Sequence, residues 1–314
     1  MTLAATFWLR HFSFQSESED RYFETEPGTR LLARCNWQPE PLRCPTLVLV
    51  HGLEGSSESG YMLGTAARAL EAGFNVVRMN QRNCGGSDHL SPTLYNSGLS
   101  RDYHAVVRIL TESYGLPEIF LAGFSMGGNL VLKTAGEIGD AVPPQLRAVC
   151  AVAPSIDLAA CADACDAPRN LLYRWYFVRK LMERYRRKVK LFPERFSLNG
   201  IGPVHTIREF DEAITAPAFG FRGASDYYYR SSSLRVIAQI RVPTLIVTAQ
   251  DDTMVPFCSF RDPALTSNPA ITLIAPEHGG HCGFISDSDG PERFWVEPRI
   301  VEFCAEHSRL LPDH

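Results

Sequence analysis

The chain has 314 residues, of which 45% are hydrophobic, 11% aromatic and 21% charged. That balance is ordinary for a globular protein and excludes disorder, collagen and coiled coil. The net charge, 31 − 35 = −4, gives no reason to expect a nucleic acid as partner, and the length suits one α/β domain carrying an insertion.

The N-terminus reads MTLAATFWLRHF. Its apolar part is short, Arg10 interrupts it and no small-residue cleavage site follows, so no signal peptide is expected. No stretch approaches the roughly 18 consecutive apolar residues of a membrane span, so no transmembrane segment is expected either. The first forty residues read as an antiparallel pair with its turn near Glu26–Gly28. Predicted strands follow at Thr46–Val50, Asn75–Asn80, Ile119–Ala122, Ala148–Ala153, Thr244–Thr248 and Ile271–Ile274. Each is short, rich in Val, Ile or Leu, and followed by Gly, Pro, Asn or Asp. Helical patterns lie between them, as at Tyr61–Ala72 and Arg101–Ser113. The alternation predicts a mostly parallel sheet covered on both faces.

From about Ala159 to Arg241 the alternation stops. This segment holds the aromatic and basic run LLYRWYFVRKLMERYRRKVK and a Tyr-rich piece, DYYYR. It reads as an insertion folded over the carboxyl edge of the sheet, where ligands bind in open α/β folds. The part from Arg179 to Lys190 carries seven Lys/Arg and one acid, Glu183. It fits a solvated helix face with aromatics packed beneath, or a surface for anionic lipid or anionic substrate. The nine cysteines are odd in number and scattered, with no C-x-x-C. They are expected to be reduced thiols, which favours a cytoplasmic location.

The main chemical signal is Gly123-Phe124-Ser125-Met126-Gly127-Gly128, between a predicted strand and the helical run Asn129–Glu137. This is a G-x-S-x-G nucleophile elbow in its proper context. The turn is so sharp that flanking Cβ atoms would collide, and it sets the Ser125 hydroxyl in the open. A serine hydroxyl needs a base, and the base needs a carboxylate to orient it. The next two strands each run into one partner: Gln250-Asp251-Asp252-Thr253-Met254-Val255-Pro256, then Glu277-His278-Gly279-Gly280-His281-Cys282-Gly283. Asp252 is the chosen acid because Pro256 follows four residues on, and Asp251 reads as a turn carboxylate. His281 is the chosen base because glycines flank it, and His278 reads as an outer or surface histidine. A zinc site of His278, His281 and Cys282 is the competing reading, although three nearly contiguous residues converge poorly on a tetrahedral ion.

Acyl transfer also needs donors for an oxyanion. Met126 N–H, just after the nucleophile, is one candidate. Leu53 N–H, in His51-Gly52-Leu53-Glu54-Gly55-Ser56, is the other. Glu54 is unexpected beside such a hole, and is expected to point away and cap the following helix. Arg82-Asn83-Cys84-Gly85-Gly86-Ser87 lacks the lysine of a phosphate-binding loop and reads as a rigid loop. A reactive Cys84 has no histidine placed for it.

Six stretches in order, HGLEGSSES, QRNCGGSDHLSPTLYNSG, GFSMGGN, FDEAITAPAFGFRGASDYYYRSSS, TAQDDTMVP and HGGHCGF, resemble the YheT-like branch of the α/β-hydrolase superfamily. The resemblance spans roughly Pro45 to Phe303. It implies an α/β-hydrolase fold: a mostly parallel eight-stranded sheet with helices on both faces and a helical cap between strands six and seven. The core would then be residues 1–158 and 242–314, and the cap 159–241. It also implies a serine hydrolase of carboxylic esters, with Ser125 as nucleophile, Asp252 as acid and His281 as base. Its substrate would be a small-molecule ester with a short- to medium-chain acyl group, with no cofactor or metal needed. Ser286 stands where acyltransferase relatives carry an aspartate, so transacylation is not carried over. Ser125 in place of an aspartate argues against dehalogenase and epoxide-hydrolase chemistry. Thioesterase, amidase and lipase share this apparatus, and a ligand-binding protein could keep the fold without catalysis.

Overall fold

Successive side chains of a strand point to opposite faces, so the apolar runs of this chain build a sheet with two dry sides. The structure, a computed structural model, describes residue 10, residues 12–288 and residues 290–311. The N-terminal run 1–9, read above for a signal peptide, lies outside the described residues. The strands are β1 (Glu19–Glu26), β2 (Thr29–Asn36), β3 (Thr46–Val50), β4 (Asn75–Met79), β5 (Ile119–Phe124), β6 (Leu146–Val152), β7 (Thr244–Val247) and β8 (Ile271–Ile274). They lie in the order β1-β2-β4-β3-β5-β6-β7-β8. β2 runs antiparallel to both neighbours, and the remaining pairs are parallel. β1 and β2 form the antiparallel pair expected from the sequence, joined by a turn at Pro27-Gly28.

Val48, Val77, Leu121, Val149 and Ile246 share one buried cluster, while Leu47, Val76, Phe120, Ala148 and Leu245 share another. A sheet apolar on both faces must be covered on both. The covering helices are α1 (Gly60–Glu71), α2 (Ser100–Arg108), α3 (Met126–Ile138) and, after the last strand, a helix at Val296–Glu306. Tyr103 and Val106 of α2 pack with Leu130 and Val131 of α3 on the first face. Met62 and Ala66 of α1 pack with Ile300 of the last helix on the second. The helix predicted to Ser113 widens at its end, so that Tyr114 N–H reaches Ile109 O.

The chain between β6 and β7 forms a helical cap. It includes α4 (Leu158–Asp166), the long α5 (Leu171–Leu191) and α6 (Ala224–Ser231). Leu158, Ala162, Ala216, Ala224, Tyr227 and Tyr228 give it a small core of its own. α5 also reaches the main core through Leu181 and Tyr185. All nine cysteines are free thiols. Among the described residues, no helix is long and apolar enough to cross a membrane.

Candidate active site

Parallel strands deliver their following loops to a common carboxyl edge. β3 leads to residues 51–56, β5 to Ser125, β7 to Asp252 and β8 to His281. Ser125 holds φ 53°, the left-handed region that non-glycine residues rarely adopt. Its N–H donates to Val152 O at 2.8 Å, which locks the turn onto β6. The glycines on either side are needed for space. A Cβ on Gly123 would lie 2.2 Å from Gly127 O, and one on Gly127 would lie 2.3 Å from Val50 O.

Ser125, His281 and Asp252 meet. Ser125 Oγ and His281 Nε2 are 2.9 Å apart, and His281 Nδ1 and Asp252 Oδ2 are 2.8 Å apart. An ionised carboxylate only accepts, so Nδ1 carries the proton and Nε2 is left to accept from the serine hydroxyl. Asp252 Oδ1 accepts from Met254 N–H at 2.8 Å and from Val255 N–H at 3.0 Å. Burial alone would raise the Asp252 pKa, but His281 and these two donors bring it below the usual carboxylate value. At His281, burial opposes the imidazolium, and the Asp252 carboxylate more than offsets this, leaving the pKa above 6.5.

The decoys lie elsewhere. Asp251 Oδ1 accepts from Gly279 N–H at 3.0 Å and from Gly280 N–H at 2.8 Å, tying down the loop that carries His281. His278 is exposed, with Nδ1 3.4 Å from Asp251. Cys282 points its thiol at Val152 O. Cys282 also sits close enough to His281 to help raise its pKa, whereas His278 turns away to Asp251. The Cys84 thiol is fully buried, and burial pushes its pKa up to about 12, so it stays a neutral thiol.

The loop after β3 lies against Ser125. A Cβ on Gly52 would be 3.1 Å from Ser125 Cβ. Neither Leu53 N–H nor Met126 N–H has an acceptor among the described residues, and both residues border the same cavity as Ser125 and His281. The loop is held by groups whose role the sequence reading did not assign. His51 Nδ1–H donates to Gly52 O at 2.7 Å, and its Nε2 accepts from Gln81 N–H at 3.1 Å. Burial lowers the His51 pKa to about 4, so the ring is neutral. Tyr61 Oη accepts from Gly52 N–H at 3.0 Å.

Glu54 corrects an expectation. It does not cap the following helix; it turns inward to the cap. Arg184 Nε and Nη2 of α5 donate to its two carboxylate oxygens at 2.8 and 2.9 Å. Tyr95 O–H donates to it at 2.6 Å. The Arg184 and Glu54 side chains are 8% and 3% exposed. A lone carboxylate here would repel the charge developing on an oxyanion, and the bidentate guanidinium cancels it. The basic run is corrected with it. Arg184 and Lys188 face inward, Arg184 also donating to Asn83 O and Lys188 to Asp88 O and Ser91 O. No signal in the sequence separated these two cations from their solvated neighbours.

The cavity has a volume of about 110 Å³. Core loops supply Leu94, Met254 and Val255 to its walls, and the cap supplies Leu158, Phe177, Leu181 and Phe210.

Residues 45–199 match the family model for the alpha/beta hydrolase fold. The chain is 32% identical over 276 residues to YheT of Escherichia coli (strain K12), whose name carries a provisional esterase assignment; the match covers 86% of this chain and 80% of that protein. It is 31% identical over 272 residues to phospholipase ABHD3 of Mus musculus, covering 85% of this chain and 66% of that protein, just under two thirds of its length. Among solved structures, an esterase of Pyrococcus furiosus superposes with a TM-score of 0.62 at 17% identity, covering 96% of this chain and 98% of that one. At that identity the likeness is one of fold.

Proposed function

Since the chain belongs to the YheT-like branch of the α/β-hydrolase superfamily, we propose that it is a serine hydrolase of carboxylic esters that works through an acyl-enzyme. The observation that carries this reading is the unbroken relay from Ser125 Oγ to His281, 2.9 Å, and from His281 to Asp252, 2.8 Å, at the wall of an apolar cavity.

Ser125 Oγ attacks the carbonyl carbon while His281 Nε2 takes its proton. Asp252 holds the imidazole in the required tautomer and stabilises its cation. Leu53 and Met126 N–H groups receive the oxyanion. Such fixed donors stabilise the transition state more than the ground state, and losing one typically costs about 2.7–4 kcal/mol. The C–O bond then breaks, and His281 returns the proton to the leaving alcohol oxygen. Water, deprotonated by the same imidazole, attacks the acyl carbon; the bond from that carbon to Ser125 Oγ breaks, His281 returns the proton to Oγ, and the acid leaves. No step calls on a metal or an organic cofactor.

Residues 159–241 serve as the cap that selects the acyl group. A cavity that binds benzene measures about 150 Å³, so a volume of about 110 Å³ favours short acyl chains. The names of two relatives, YheT with its provisional esterase assignment and phospholipase ABHD3, favour an ester over an amide. Nine free thiols suit a reducing, cytoplasmic setting.

The test is labelling with a fluorophosphonate, combined with turnover of p-nitrophenyl esters of increasing chain length. Wild-type protein should be labelled and prefer short chains, and Ser125→Ala should lose both activities. An unlabelled wild type would mark a binding protein on a hydrolase fold. Retained turnover in Ser125→Ala would move the nucleophile elsewhere.

A further inference from the structure

Helix α5 has two faces of different character. The inward face carries Phe177, Leu181, Arg184, Tyr185 and Lys188, which line the cavity or grip the core. The outward face begins with Leu171, Leu172, Trp175 and Tyr176, exposed to 52%, 74%, 60% and 46%. Arg179, Lys180, Arg186, Arg187 and Lys190 continue it, all exposed. At about 100° per residue, these nine positions fall on one half of the helix. The single acid on the helix, Glu183, meets Arg179 at 2.8 Å and Lys180 at 3.8 Å, and Arg187 meets Asp88 at 3.5 Å. Arg186 and Lys190 have no ion-pair partner among the described residues. A chain of net charge −4 thus concentrates cations beside the exposed side chains of Leu171, Leu172, Trp175 and Tyr176.

We propose that this outer face of α5 docks the cap onto an anionic lipid surface. Large apolar side chains exposed together mark an interaction site rather than a solvated face. Trp and Tyr are suited to the headgroup level of a bilayer, and adjacent Lys and Arg are drawn to anionic headgroups. The pattern is a single convex helix with its apolar part at one end and its cations at the other. A second copy of this chain docking there would set like charges against each other, since a two-fold contact pairs each patch with itself. The lipid surface satisfies both halves at once. Phe177, the residue after Tyr176, lines the cavity, so the docked face lies directly over the site. The docking itself does not depend on the chemistry assigned to Ser125.

The experiment is co-sedimentation of the full chain with vesicles of phosphatidylcholine alone and of phosphatidylcholine with phosphatidylglycerol, at low and raised salt. Two variants accompany it, Leu172→Ser/Trp175→Ser and Arg186→Gln/Lys190→Gln. All these side chains are exposed, so thermal unfolding and hydrolysis of a short soluble ester should match the wild type. Wild type should bind the mixed vesicles only, and raised salt should release it. Removing two cations should weaken partition about fivefold each, roughly 25-fold together. Removing the apolar pair should weaken it at least about tenfold. Equal binding to both vesicle types, no binding, or variants that bind like the wild type would each overturn the proposal. So would a wild-type dimer in gel filtration that Leu172→Ser/Trp175→Ser converts to monomer, because the face would then be a contact between copies.

Discussion

Arg184→Met should destabilise the protein strongly, although it keeps an apolar stem of similar length. The guanidinium and Glu54 form a bidentate pair at 2.8 and 2.9 Å, with side chains 8% and 3% exposed. Removing one partner of such a pair strands a desolvated charge and costs about 3–5 kcal/mol. Tyr95 O–H still donates to the carboxylate at 2.6 Å, which argues for the lower end of that range. Out of a total stability of about 5–15 kcal/mol, the loss should be obvious in equilibrium urea unfolding. The double variant Arg184→Met/Glu54→Gln removes both charges and lets Tyr95 bond a neutral amide. It should recover most of the loss, giving a coupling energy of at least about 2 kcal/mol. Leu53, the proposed oxyanion donor, precedes Glu54, so Arg184→Met should also loosen it and reduce kcat by up to two or three orders of magnitude, roughly the effect of losing such a donor. A single variant that costs less than about 1 kcal/mol, the worth of an exposed pair, or a strictly additive double variant, would refute the argument that this buried pair joins cap and loop.

The two adjacent aspartates should separate cleanly in kinetics. Asp252→Asn disturbs the imidazole tautomer and should lower kcat about 10⁴-fold. Asp251→Asn keeps an oxygen for Gly279 and Gly280 N–H and should stay within about tenfold of wild type; equal losses would contradict the geometry. In the proposed mechanism the neutral imidazole is the base, and the His281 pKa lies above 6.5. The acid limb of kcat/KM should therefore have its midpoint above that value, activity rising with pH through it, and a profile flat down to pH 4, about 2.5 units below the free imidazole value, would exclude His281. Gly127→Ala would put a Cβ 2.3 Å from Val50 O; overpacking of this kind costs about 1–3 kcal/mol or more, and an unchanged melting temperature would count against it.

Much of the fold is legible in the sequence because its signals are local. A parallel strand buried on both faces must be a short apolar run, so Thr46–Val50 and Ile271–Ile274 read from the chain with the bounds they have in the structure. The ends of β4, β5, β6 and β7 shift by one or two residues, since ladder hydrogen bonding rather than composition sets where a strand stops. The elbow is legible for a steric reason: only glycine at positions 123 and 127 avoids collision with backbone oxygens.

The sequence by itself determined the α/β alternation, the interrupting cap and the residue types at the ends of β5, β7 and β8. Those depend on periodicity and on spacing along the chain. Only the tertiary structure decided which neighbouring histidine and aspartate meet, where the charge of Glu54 goes, and which cations of α5 turn inward. Arg184 and Glu54 stand 130 positions apart. Contacts across such a separation leave no local pattern, because they arise from how the cap closes on the sheet and not from the residues on either side.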